Sequence, residues 1–260
     1  MNHSIKVIVK TFNIIEILYQ SEKLTLKEIT RRIKLPKPTV YRILSTLQSI
    51  GYVEYDADTQ THALSHKFVM LAKNYISHNS LVNVAIPYMR RLWETFGETV
   101  NLAKLMDREA VYIRIEESRH PFHFVDQIGD QASLHSTAIG KAIAAFLPEE
   151  RLNEIFTDYP FRAFTKKTIT NFNSLKRELA NIRQLGYAID DEEGHEGVIC
   201  IGVPVFNKEN FPCAAMSISM PKIRSSRKII QDLCQQLPKV GLQISFELGV
   251  SDIRKCLNRE

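Results

Sequence analysis

The 260-residue chain carries 34 Lys and Arg against 29 Asp and Glu, a formal charge of +5, with 44% hydrophobic and 24% charged residues. That is the make-up of an ordinary globular protein, long for one compact domain and natural for two. No apolar run approaches the roughly 18 residues needed to span a bilayer, and Met1 to Lys10 lacks a signal-peptide core, so a cytoplasmic protein without membrane contact is expected.

Ile5 to Tyr19 sets Ile8, Phe12, Ile15 and Leu18 on one face and predicts a first helix that completes a three-helix core. Thr25, with Glu28 three positions on, forms a capping box that starts a second helix, burying Leu26, Ile29 and Ile33. Lys34-Leu35-Pro36 breaks it. Pro38 suits the first turn of a third helix, where Val40, Ile43, Leu44, Leu47 and Ile50 follow at helical spacing until Gly51. Its other face is polar, with Lys37, Thr39, Tyr41, Arg42, Ser45 and Thr46 available to base edges and phosphates. Tyr52 to Tyr55 and Thr61 to Leu64, separated by Asp56-Ala57-Asp58-Thr59-Gln60, read as the two strands of a wing. From Lys23 to Arg42 seven Lys or Arg stand against one acid, enough to release counterions from a phosphate backbone. Helix, turn, helix and wing in this order predict insertion into the DNA major groove.

After the wing, Ser65 caps a linker helix carrying Phe68, Leu71, Ala72, Tyr75 and Ile76, and a further helix runs from Leu81 to Phe96, ended by Gly97. The period then changes. Thr99 to Leu105 and Ala110 to Ile115 alternate as strands, with Phe122 to Asp126 a third candidate, and Ala138 to Leu147 is an apolar helix. Leu175 to Leu185 is a helix stopped by Gly186, Val198 to Phe206 and Ala214 to Met220 are strands, and Arg227 to Leu248 is a closing helix. The predicted class is α+β: a winged helix-turn-helix over 1–65, a linker helix over 66–79, and an effector-sensing domain over 80–260 around an antiparallel sheet.

Enzymatic motifs fail one by one. The stretch from His135 to Lys141 lacks the Gly and the Ser or Thr of a phosphate loop, no G-x-G-x-x-G follows a strand, and His195-Glu196 lacks the second His of a zinc protease. Cys200, Cys213, Cys234 and Cys256 are scattered and make neither a zinc knuckle nor a disulfide framework. A Cys200 nucleophile served by His195 or His135 is a weaker reading than a small core thiol. No metal, cofactor or catalytic residue is assigned. The acidic run Asp190-Asp191-Glu192-Glu193 reads as a turn at a strand end, with Asp190 facing inward and the other three facing water.

The two halves together resemble the isocitrate lyase regulator (IclR) family of bacterial transcription factors. The resemblance rests on Pro38-Thr39-Val40-Tyr41-Arg42-Ile43-Leu44 with Gly51-Tyr52-Val53, on Leu134-His135-Ser136-Thr137-Ala138-Ile139-Gly140-Lys141-Ala142, on Gly186-Tyr187, and on Asp191-Glu192-Glu193 with Gly197 to Val205. It covers nearly the whole chain. It implies a homodimer or homotetramer that binds a double-stranded DNA operator, with a C-terminal domain similar to the GAF fold that takes a small organic acid. The pocket it implies involves the backbone at Ala138 and Ile139 together with Asp190, Cys200, Ser217 and Ser219. N-H groups at the start of a helix suit a carboxylate, and Ser217 and Ser219, two apart on a strand, share a face. Ala138 and Ile139 replace the glycine and alanine of some members, and Ile199 replaces a common arginine. The Ser-Thr-Ala-Ile-Gly-Lys variant is most similar to members governing sugar-acid catabolism. The expected function is a ligand-responsive repressor of a carbohydrate or organic-acid operon. An activator of the same class, a small-acid enzyme with a winged-helix interaction module and an architectural DNA binder are the rivals.

Overall fold

A computed structural model describes residues 5–71, 80–124 and 126–252, in two compact units, Met1–His78 and Asn79–Glu260. The first unit contains α1 (Lys6–Tyr19), β1 (Leu24–Thr25), α2 (Leu26–Ile33), α3 (Lys37–Ser49), β2 (Val53–Asp56) and β3 (Thr61–Leu64). Thr25 accepts from the Glu28 backbone N-H while its own N-H donates to the Glu28 carboxylate at 2.8 Å, the predicted capping box. Lys34 ends α2 in the left-handed region at φ 54°, turning the chain into Pro36 and α3. Ile14, Leu18, Ile29, Val40, Ile43, Leu44, Leu47 and Val53 form the core, and the antiparallel strand order β1-β3-β2 makes the wing.

One expectation for α1 fails. Ile8 and Phe12 are 49% and 58% exposed, and the buried pair is Ile14 and Leu18. α1 is apolar on several faces, with Val7, Ile8, Val9 and Ile17 besides, so periodicity alone does not choose which face meets α2 and α3. Of the linker helix, only residues 67–71 are described as helical; Ala72, Tyr75 and Ile76 lie outside the described residues.

The second unit has α4 (Ser80–Phe96), β4 (Thr99–Met106), β5 (Glu109–Glu116), β6 (Gln131–Ala132), α5 (Ala138–Ala144), α6 (Glu149–Phe156), α7 (Phe172–Leu185), β7 (Ala188–Asp191), β8 (Val198–Phe206), β9 (Pro212–Pro221) and α8 (Arg227–Glu247). The six strands form one antiparallel, GAF-like sheet in the order β6-β5-β4-β9-β8-β7. Strand alternation divides its side chains between two layers of helices. Ile199, Ile201, Val203 and Val205 of β8 and Ala214, Met216, Ile218 and Met220 of β9 pack with Met89 of α4 and Leu233 and Leu237 of α8. On the other face, Ala103, Ala110, Ala188 and Ala215 meet Ile139 and Ile143 of α5, Ile155 of α6 and Leu179 of α7. Both faces are therefore covered, which is why β8 and β9 read as nearly continuous apolar runs.

Three further expectations are corrected. Residues 122–124 and 126 are not in a strand; the edge strand is β6, whose two residues are too few to show a period. The apolar helix ends at Ala144, because Pro148 caps a separate helix, α6, that the sequence reading did not contain. Glu193 does not face water: its side chain is 14% exposed and pairs with Lys141.

Candidate effector cavity and nucleic-acid interface

Cross-strand register assembles a polar row on the α5 face of the sheet. Asp190 lies opposite Cys200 and Cys200 opposite Ser219; one rung along, Gly202 lies opposite Ser217. Directly paired residues share a face, so Asp190, Cys200, Ser217 and Ser219 converge although the first and last are 29 positions apart in the sequence. α5 closes over them. Gly202 has no side chain because the first turn of α5 lies on it: a Cβ there would stand 2.6 Å from the Ala138 carbonyl oxygen and 3.0 Å from the Ile139 nitrogen. Thr137 caps the helix by accepting from the Gly140 N-H at 3.0 Å.

Between helix and sheet lies a cavity of about 100 Å³, and all six residues expected there, Ala138, Ile139, Asp190, Cys200, Ser217 and Ser219, line it. Tyr112, Asp126, Ser136 and His195 also line it; the sequence reading weighed His195 as a base for Cys200 and did not place the side chains of the other three. Ser136 is 1% exposed and its hydroxyl has no hydrogen-bond partner. Ser136 stood inside the motif that carries the family resemblance, so the signal was present in the sequence. Asn101, fully buried, donates to the Ser219 hydroxyl at 3.2 Å and fixes it from behind; an Asn between Val100 and Leu102 of a strand was the clue.

Among the described residues the cavity lining holds two carboxylates and no Lys or Arg. Burial raises the Asp190 carboxyl above its usual range, opposed by the N-H groups of Glu193 and Gly194 that donate to Oδ1 at 2.7 and 3.2 Å. Burial pushes Asp126 up to about 6, with the Tyr112 hydroxyl pulling down and Asp130 adding to the rise. Burial also lifts the Cys200 thiol well above its normal value, so it stands as a neutral thiol and not as an activated nucleophile. Among the described residues no three His, Cys, Asp or Glu converge as metal ligands. Cys200, Cys213 and Cys234 are free thiols, and Cys256 lies outside the described residues.

In the first unit, Val40, Ile43, Leu44 and Leu47 bury one stripe of α3. At 100° per residue Arg42 and Ser45 fall opposite that stripe, flanked by Lys37 and Tyr41 on one side and Thr39 and Thr46 on the other. Lys37, Tyr41, Arg42, Ser45 and Thr46 are exposed and Thr39 is half-buried. Thr46 donates its hydroxyl to the Arg42 carbonyl at 2.8 Å, which leaves it an acceptor only toward a ligand.

Similarity to known proteins extends over both units. The IclR helix-turn-helix domain model matches residues 7–57, and the bacterial transcriptional regulator IclR C-terminal model matches residues 73–246. The HTH-type transcriptional regulator KdgR of Escherichia coli K12 is 31% identical over 249 residues, 96% of this chain and 95% of that protein. The transcriptional repressor IclR of the same organism is 30% identical over 226 residues, covering 86% and 82%. The crystal structure of Thermotoga maritima IclR matches with a TM-score of 0.76 at 30% identity, over 95% of this chain and 100% of that one. The chain therefore belongs to the IclR family and is a ligand-responsive, DNA-binding transcriptional regulator.

Proposed function

We propose that the chain represses a carbohydrate or organic-acid catabolic operon and that a small hydroxylated carboxylic acid, of the sugar-acid class, occupies the cavity under α5 and alters operator affinity. The observation that carries this reading is the buried, unpartnered Ser136 hydroxyl in a cavity that also presents Ser217 and Ser219. Hydroxyl donors suit the ligand's carboxylate, and Asp190 and Asp126 suit its own hydroxyls. Ala138 and Ile139 present the backbone of the first helical turn, and Cys200 is a small neutral wall.

Repression is supported by similarity to the E. coli repressor IclR. Residues 1–65 act as the DNA-binding domain, 66–79 as the linker helix and 80–260 as the effector domain of a cytoplasmic homodimer or homotetramer. Each protomer inserts α3 in a major groove, with Lys37, Thr39, Tyr41, Arg42, Ser45 and Thr46 toward the duplex and half-sites about 34 Å, or a multiple of it, apart.

Fluorescence anisotropy of the full chain on duplexes from upstream of its own gene, with a panel of sugar acids and 2-oxo acids, tests the reading. Sequence-selective, salt-sensitive binding shifted by one hydroxylated acid is the expected result. Selective binding that no acid in the panel shifts removes the assignment of effector class.

A further inference from the structure

The helix-turn-helix segment from Lys23 to Arg42 holds seven cations, and the structure divides them unequally. Lys23 is spent on the wing, paired with Asp56 at 3.4 Å, and Arg32 donates to the Ser21 hydroxyl at 2.7 Å. The other five, Lys27, Arg31, Lys34, Lys37 and Arg42, are exposed, and among the described residues none of them is in an ion pair. Lys27 and Arg31 are spaced i, i+4 on one stripe of α2, opposite the stripe that buries Ile29, and Lys34 follows as the residue that caps the helix. The left-handed turn at Lys34 carries that stripe on to Lys37 at the first position of α3.

The wing has the opposite character. From Val53 to Leu64 it bears Glu54, Asp56 and Asp58 and no Lys or Arg. Glu54 and Asp58 are exposed, and Asp56 accepts from the N-H groups of Asp58 and Thr59 at 3.0 and 3.2 Å, which ties the hairpin turn around a carboxylate. Wing tips that lie along a nucleic-acid backbone need cations or neutral donors there, because like charges at close range repel.

We propose that duplex DNA rests on α2 and the start of α3, its phosphates neutralised by Lys27, Arg31, Lys34 and Lys37, and that the acidic wing stands clear of the backbone. This rests on the DNA-binding reading and assigns its electrostatic footprint. The wing then serves the fold, through Val53 in the core and the β1-β3-β2 pairing, and contributes no contact to the duplex.

The test uses the full chain and a random-sequence duplex, so no operator needs to be known. Each phosphate neutralised contributes about 0.9 to the slope of log K against log salt, so Lys27→Ala with Arg31→Ala lowers that slope by about 1.8. Lys34→Asn, which tolerates the left-handed backbone, lowers it by about 0.9 more. Asp58→Lys leaves slope and affinity unchanged at physiological salt, where charges more than about 8 Å from a phosphate are screened. Circular dichroism melts confirm that each variant is folded. An unchanged slope in the folded α2 variants, or a steeper slope in Asp58→Lys, overturns the assignment. Absence of duplex binding by the wild-type chain at any salt would instead remove the DNA-binding reading on which it rests.

Discussion

Lys141 on α5 and Glu193 in the turn after β7 form a buried ion pair that ties the helix over the cavity to the segment carrying Asp190. Lys141 has no exposed surface and also donates to the Ile189 carbonyl at 2.7 Å. Burial pushes the Glu193 carboxyl up to about 7 against the pull of Lys141. Removing Lys141 leaves Glu193 buried without its cation, whereas removing Glu193 leaves Lys141 with Glu178 at 3.9 Å. Lys141→Met is expected to lose about 3 to 5 kcal/mol in urea denaturation, and Lys141→Met with Glu193→Leu to recover most of it. Equal losses in the single and double variants would mean that the pair is not the source.

Gly202 is set by close approach, since any side chain would enter the first turn of α5. Gly202→Ala is expected to cost about 1 to 3 kcal/mol by overpacking and to displace Ala138 and Ile139 from the cavity wall. Effector affinity should fall while affinity for duplex DNA, measured by anisotropy, is kept.

Asp126 gives the cavity a pH dependence. Its carboxyl holds a proton to about 6 in the folded chain against 3.8 as the ordinary value. Between about pH 4 and 6 the native state therefore binds more protons than the unfolded one, and stability falls as pH rises through that window and then levels. An anionic ligand should bind more tightly below pH 6, where Asp126 is neutral. Asp126→Asn should reduce the slope of both profiles, the Asp190 and Glu193 carboxyls, also raised by burial, supplying the rest; an unchanged slope of melting temperature against pH would assign the proton elsewhere.

Arg42 stands opposite the buried stripe of α3. Arg42→Ala is expected to weaken operator binding by about 1 to 3 kcal/mol without lowering the melting temperature. Unchanged operator affinity in the folded variant would take Arg42 out of the interface.

Ser217→Ala with Ser219→Ala should weaken effector binding, read by calorimetry, and spare DNA affinity. Asn101, which holds Ser219, would then be left with an unmet donor, so Asn101→Leu added to the pair should restore stability without restoring ligand affinity.

The first unit was legible because its signals are local. The Thr25 and Glu28 box, Pro38 and the Val40-to-Leu47 period each act within a few residues, and each is found where the sequence placed it. The buried face of α1 was not, since a helix apolar on several sides has no single stripe. In the second unit, strand alternation marked β4 and β5, apolar runs marked β8 and β9, and the inward turn of Asp190 followed from its place near the end of β7. What stayed hidden was partnership at a distance. The register that sets Cys200 between Asp190 and Ser219, and the folding of Tyr112 and Asp126 onto the same cavity, depend on contacts between segments far apart in the chain.

The central pairing of the sheet joins β4, near the start of the second unit, to β9, near its end. During synthesis β4 therefore waits for more than a hundred residues before its inner neighbour leaves the ribosome, while the helix-turn-helix closes on contacts of short range. Ser217 and Ser219 of the cavity wall arrive on that last strand. A nascent chain thus acquires its surface for DNA before it possesses any chamber for a ligand, and the sensor is completed only once its last strand has emerged.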